Sequence, residues 1–249
     1  APDRLTGAAG RAARTEISKL EQLFSIYEPG SELSQINAKG HGTVSPQTAE
    51  LLALCDQIYR ATKGLFDPTI QPVFRAMLEG RDPPWHLVGW GHVTRQADHV
   101  TLAANQEITL NGIAQGYATD RVRALLNARG FGKALVSVGE HAAIGGPFRL
   151  SLEDPHFGPV GLRTLHDKAM ATSSPGAMML GQRAHILHPT ARAAPLWSTI
   201  SVEADSAALA DGLSTALCLA SRDQIEEIIS KTHTRATLVD LEGDLTTSG

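Results

Sequence analysis

Asp211 and Thr215 stand four residues apart in ADGLSTAL, residues 210–217. On a helix their oxygens share a face and can approach one ion. A carboxylate, a hydroxyl and a nearby backbone carbonyl suit a hard cation such as Mg²⁺ or Ca²⁺, which takes oxygen ligands. Taken alone, the pair reads more simply as a solvated helix face. In NGIAQGYATD, residues 111–120, Gly112 and Gly116 let a ligand or another element come into contact with the main chain. The N–H groups opening the helix that follows would attract phosphate oxygens, although tight helix packing is the plainer account of the glycines. The pattern is not G-x-G-x-x-G and follows no Rossmann-type strand, so the dinucleotide fingerprint is absent.

Three further stretches carry weaker signals. In RAHILHPTARAAP, His185 and His188 lie three apart; on a strand they face opposite sides and cannot chelate one metal. Either can act as a base or hold a phosphate, since imidazole titrates near neutrality, and either can be purely structural. FSIYEPGSELSQIN places Tyr27 before a Pro29-Gly30 turn with Ser31, Ser34 and Asn37 beyond it. Ser31 is an expected N-cap, and an aromatic beside such a loop can stack on a nucleobase. In GLFDPTIQP, Asp67-Pro68 starts a turn whose carboxylate could accept hydrogen bonds from a ligand's sugar or base.

The elements that must position these residues are legible in outline. Helical periodicity predicts a helix through Ile17, Leu20, Phe24 and Tyr27 ending before Pro29-Gly30, a second over 46–62, a third over 113–129 and a fourth over 207–220. The Gly- and Pro-rich stretch from 63 to 93 predicts irregular backbone. Strands are expected at KALVSVG, FRLSLE, VGLRTL, KAMATSS, WSTISVE and RATLVDLEG. Helices early and strands late indicate α+β rather than alternating βαβ. At 249 residues and 42% hydrophobic, the chain can bury a core as one large domain or two lobes sharing an interface. A formal charge of −4, spread along the sequence, implies no surface for nucleic acid or acidic lipid. Cys55 and Cys218, without Cys or His at zinc spacing, are expected to be buried free thiols. No span is apolar enough for a transmembrane segment, no signal peptide is visible, and the opening APDRLTGAAGRAARTE without Met is consistent with a mature or trimmed form.

Taken in order, YEPGSELSQIN, GLFDPTIQP, NGIAQGYATDRV, ALVSVG, ATSS, HILHP and SAALADGLSTAL resemble the FAD:protein FMN transferases, the ApbE-like flavin transferase family, from about residue 20 to the end. The resemblance implies a single α+β domain over 1–249, bilobal and T-fold-like, its two lobes intertwined around an FAD and metal cleft, with the family's first strand missing at the N-terminus. It implies cleavage of FAD at the pyrophosphate with Mg²⁺ or another divalent cation. FMN then passes through a phosphoester bond to a Thr or Ser of a redox partner protein, often in the periplasm or cell envelope. An FAD pyrophosphatase releasing FMN and AMP, and a non-catalytic FAD-binding or flavin-carrier protein, are the alternatives.

Residue by residue, the resemblance puts Gly112, through its carbonyl, with Asp211 and Thr215 at the metal. Tyr27, Leu65, Phe66, Asp67, Thr109, Gly112, Thr172, Ser173 and His185 fall at FAD, and His185 and Asp211 also fall at the catalytic positions. The chain departs from the family pattern at Thr109, where an acid is usual, and at Gln115, where Lys is. Gly139, Glu140 and His141 replace Gly-Gly-Asp, and ATSSPG and HPTARAAP lack the usual Ser-Gly and Thr-Gly pairs.

Overall fold

A computed structural model describes the backbone of residues 2–249 and the side chains of 7–249. The chain opens with α1 (Pro2–Phe24), α2 (Glu32–Lys39), β1 (His41–Thr43), α3 (Pro46–Ala61) and α4 (Gln71–Leu78). There follow β2 (Thr94–Gln96), β3 (His99–Thr101), α5 (Ala114–Ala128), β4 (Ala134–Val138), β5 (Glu140–Ile144), β6 (Phe148–Asp154), β7 (Gly158–Leu165) and β8 (Ala169–Ser173). The last part comprises β9 (Met179–Leu180), β10 (Arg183–Ala184), β11 (Thr199–Ala204), α6 (Ala207–Leu217), α7 (Arg222–Thr232), β12 (Arg235–Val239) and β13 (Leu245–Ser248). The α+β class read from the sequence is the observed one.

Several boundaries depart from the periodicity for identifiable local reasons. Helix α1 stops at Phe24 rather than running to Tyr27, because the Ser25 hydroxyl accepts the N–H groups of Tyr27 and Glu28, each at 3.1 Å. Tyr27 is left on a turn, 71% exposed. Ser31 does cap a helix, accepting the Ser34 N–H at 3.0 Å, but α2 has only eight residues and buries just Leu33 and Ile36, too few to show a period. The irregular stretch contains α4, whose Pro72 sits in the first turn, where no N–H is missed. Strand β5, EHAAI, carries little β propensity and is held by its pairing with β4 and β8.

The late strands form one antiparallel six-stranded sheet, ordered β13-β12-β11-β8-β5-β4. Helices α5 and α6 pack against it, α6 over β8 and β11 and α5 over β5 and β4. The hairpin β6–β7, the small sheet β1-β3-β2 and the β9–β10 ribbon complete the fold. A single apolar cluster runs from Leu20 and Phe24 through Leu51, Ile58, Ile113 and Leu213 to Leu238, and takes in both cysteines as fully buried free thiols. Among the described residues no helix is long and apolar enough to cross a membrane.

Helices α5 and α6 hold each other through reciprocal carboxylates. Asp120 of α5 accepts from the Ser206 hydroxyl at 2.7 Å and the Ala208 N–H at 2.9 Å, closing the start of α6. Asp211 of α6 accepts the Gly116 N–H at 2.9 Å in the first turn of α5. This approach requires glycine: a Cβ on Gly116 would lie 2.3 Å from the Ala207 carbonyl oxygen, backbone that cannot swing away. Gly116→Ala is therefore expected to destabilise the protein by about 1–3 kcal/mol, the cost of overpacking. Gly10→Ala, in open space on α1, is expected to stabilise by about 0.5–1 kcal/mol. Urea denaturation of the two variants checks both signs.

Candidate active site

The loops flanking α4 and α5 are stapled by side chains before any ligand is considered. Asn37 pairs with both backbone groups of Ile108, donating to its carbonyl at 2.8 Å and accepting its N–H at 2.9 Å, which fixes the segment carrying Thr109 and Gly112. Asp67 caps the turn Pro68–Ile70 by accepting the Thr69 N–H at 2.8 Å, and its other oxygen takes the Trp90 N–H at 3.0 Å. Much of its accepting capacity is thus spent on the loop itself. Thr109 donates its N–H to the Pro68 carbonyl and accepts the Asn111 N–H at 3.2 Å on its hydroxyl.

Between these loops, the end of β8, the segment after β10 and the face of α6 lies a cavity of about 350 Å³. All eleven residues that the resemblance assigns to FAD, the metal or catalysis line it: Tyr27, Leu65, Phe66, Asp67, Thr109, Gly112, Thr172, Ser173, His185, Asp211 and Thr215. Asp211 and Thr215 face it one helical turn apart. A Cβ on Gly112 would lie 3.2 Å from Thr215 Oγ1, so residues 112 and 215, distant in sequence, are neighbours. Ser173 Oγ shares hydrogen bonds with Ser214 Oγ at 2.8 Å and Thr215 Oγ1 at 3.3 Å, joining β8 to α6. His188, by contrast, lies outside the cavity; its Nδ1 accepts the Ala191 N–H at 3.0 Å and burial lowers its pKa.

His185 is held in one tautomer. Its Nδ1 lies 3.1 Å from the Met178 carbonyl and 3.2 Å from that of Pro175, two acceptors that require a proton on that nitrogen. In the neutral ring the lone pair therefore resides on Nε2. Three of the four N–H groups from Ile113 to Gly116 are taken within the protein. Ile113 and Ala114 donate to the Leu110 carbonyl, and Gly116 donates to Asp211. Gly116 serves helix packing.

Glu140, read from the sequence only as a departure in a flavin-side loop, is the residue that sequence reasoning missed. It opens β5, is 8% exposed, lines the cavity with Asp211 and accepts the Thr172 N–H at 3.1 Å. Nothing local marks it, because its position depends on β5 pairing with β8. Asp67, Glu140 and Asp211 thus face the cavity with no Lys or Arg among its described lining residues. Burial first, and then the Glu140 charge, hold the Asp211 carboxyl well above the usual carboxylate range, against the pull of the Gly116 N–H. Burial raises Glu140 to about 7, opposed by the Thr172 N–H. No three His, Cys, Asp or Glu residues gather in metal-binding proximity among the described residues. A cation here would draw on hydroxyl and main-chain oxygens as well as carboxylates.

A larger groove of about 800 Å³ runs along α3 and α5, but its Tyr117 and arginine side chains are already paired. Tyr117 donates to Glu50 at 2.8 Å, Arg121 meets Glu16 at 3.0 Å and Arg123 meets Asp120 at 2.8 Å. The smaller cavity, where acids and hydroxyls converge, is the stronger site.

For Glu140 the sign of the pH effect is fixed. A carboxyl raised in the folded state adds no penalty below its unfolded value near 4.5, and stability falls as pH rises from there through about 7. In EDTA, Glu140→Gln is expected to melt above the parent at pH 8, with the gap closing towards pH 5. Paired thermal melts at the two pH values test this, and a gap independent of pH contradicts it.

Residues 3–239 match the model of the ApbE family. An FAD:protein FMN transferase of Rhodobacter capsulatus is 27% identical over 251 aligned residues, covering 86% of this chain and 47% of that protein. One of Chlamydia pneumoniae is 31% identical over 126 residues, 44% of this chain and 40% of that protein. The chain spans less than half the length of these curated relatives. Among solved structures, the apo form of the Pseudomonas stutzeri flavinyl transferase ApbE superposes with a TM-score of 0.85 at 24% identity, covering 100% of this chain and 87% of that one. The ApbE protein of Thermotoga maritima gives 0.87 at 22% identity, covering 97% and 89%. These two share the fold described above. With a family match spanning nearly its whole length, the chain belongs to the ApbE family.

Proposed function

We propose that this protein is an FAD:protein FMN transferase: it cleaves FAD at the pyrophosphate and attaches FMN through a phosphoester bond to a Thr or Ser of a redox partner protein. The observation that carries this reading is the cavity that Asp211, Thr215, Gly112 and His185 line together with no Lys or Arg among its described lining residues. The names of the curated relatives point the same way. A diphosphate entering a site lined by Asp67, Glu140 and Asp211 is repelled unless positive charge comes with it. The donor set fits a hard divalent cation, Mg²⁺ foremost, held by Asp211, the Thr215 hydroxyl and the Gly112 carbonyl. Such a cation, when bound, neutralises the charge that builds on the phosphoryl oxygens and the leaving group.

The chain's own residues supply the remainder. Tyr27, at the mouth, and Leu65 and Phe66, against the wall, offer surface to the flat rings of FAD, and Thr172 and Ser173 offer hydroxyls at the diphosphate. His185 accepts the acceptor hydroxyl proton on Nε2 while Nδ1–H stays anchored on two carbonyls. The acceptor oxygen attacks the flavin-side phosphorus, the bond to the bridging oxygen breaks, and AMP leaves with that oxygen. The family resemblance also supports a site of action outside the cytoplasmic membrane.

The test is incubation with FAD, Mg²⁺ and a candidate acceptor, followed by a denaturing gel read for flavin fluorescence and by an assay for AMP. Fluorescent acceptor with stoichiometric AMP is expected. AMP without label would make the protein a pyrophosphatase, and intact bound FAD a carrier. Asp211→Asn is expected to lose at least about 100-fold in transfer at standard Mg²⁺ while folding normally, since a hard cation binds poorly without its carboxylate. His185→Ala is expected to lower transfer by about 10²–10⁴-fold, the range for general base catalysis, with FAD affinity little changed. Equal losses in rate and affinity would make His185 a binding residue instead.

A further inference from the structure

A cation held by Asp211, Thr215 and Gly112 has a single carboxylate, yet the cavity holds a second, that of the buried Glu140. Glu140 and Asp211 are both more than nine-tenths buried, and each has one backbone N–H as donor, from Thr172 and Gly116 respectively. A carboxylate has room for about four hydrogen bonds, so most of this accepting capacity is unused. The nearby hydroxyls bond other hydroxyls rather than these acids: Thr172 Oγ1 with Ser201 Oγ at 2.8 Å, and Ser173 Oγ with Ser214 Oγ at 2.8 Å. Gln115, which also lines the cavity, packs against the Gly139 backbone, the residue before Glu140. No Lys or Arg is present among the described lining residues to neutralise either acid.

Two buried carboxyl groups facing one cavity repel each other once both are ionised, and each has lost water that a single N–H does not replace. Asp154 shows how this chain treats a buried acid that serves only structure. It receives the Ser198 and Thr199 hydroxyls, each at 2.6 Å, and the N–H groups of His156 and Phe157. Glu140 has no such shell, and its carboxylate faces the cavity that contains Asp211.

We propose that Glu140 is a second carboxylate ligand of the divalent cation, so that Glu140 and Asp211 together form a metal seat able to fill before FAD arrives. This rests on the cation-dependent reading above and extends it. A seat of one carboxylate, one hydroxyl and one carbonyl depends on the nucleotide's phosphates to complete it. A seat with two carboxylates carries the full compensating charge itself.

The experiment is Mn²⁺ binding to the FAD-free protein, followed by electron paramagnetic resonance of free Mn²⁺ and by the Mn²⁺-induced rise in melting temperature. The parent is expected to bind Mn²⁺ without FAD. Glu140→Gln is expected to weaken that binding at least tenfold and to lose most of the thermal shift, with Asp211→Asn behaving likewise. Melts in EDTA confirm that each variant is folded, and Glu140→Ala provides a second test should the Gln variant misfold. If Glu140→Gln binds Mn²⁺ as tightly as the parent while Asp211→Asn does not, Glu140 is no ligand and the cation reading survives. If the parent binds no Mn²⁺ with or without FAD, both fail.

Discussion

The pairing of α5 with α6 is the constraint on which the site depends. Two helices meet so closely at Gly116 and Ala207 that no side chain fits between them, and each contributes a carboxylate to the other's first turn. Asp211 is thereby fixed by the backbone of α5, while Thr215, one turn on, meets the loop at Gly112. The position of the acid does not depend on a flexible side chain finding a partner. It follows from helix packing, and helix packing is what the buried apolar cluster stabilises. A group that must meet a cation within a few tenths of an ångström is best placed on such a rigid support.

The electrostatics of the cavity follow from the same arrangement. Where an anion-binding site ordinarily offers Arg, Lys or free helix N–H groups, this one offers acids and hydroxyls, and most N–H groups at the start of α5 are taken within the protein. The site is therefore poorly suited to a bare diphosphate and well suited to one that arrives with, or meets, a doubly charged ion. His185 escapes this acidity in one respect. Its anchoring to two carbonyls decides which nitrogen can accept a proton, whatever the neighbouring charge.

Where sequence reading and structure part, competing local interactions explain it. Ser25 ends α1 a turn early and leaves Tyr27 exposed at the cavity mouth, an outcome set by one hydroxyl and two N–H groups. Asp67 has its turn-capping role and lines the cavity as well, so neither account of it displaces the other. Gly112 and Gly116, which look alike in the sequence, do different things: one leaves room beside Thr215, the other lets two backbones touch.

The sequence by itself determined the α+β class, the long helices, most strands of the large sheet and a set of residues that all border one cavity. Periodicity, capping residues and motif order are local properties and survive without coordinates. Tertiary structure alone decided that Glu140 faces Asp211 and that Asp211 takes the Gly116 N–H at the start of α5. Each of these depends on which strand pairs with which or which helix packs on which. Contacts between residues 30 to 100 positions apart leave no trace in local spacing.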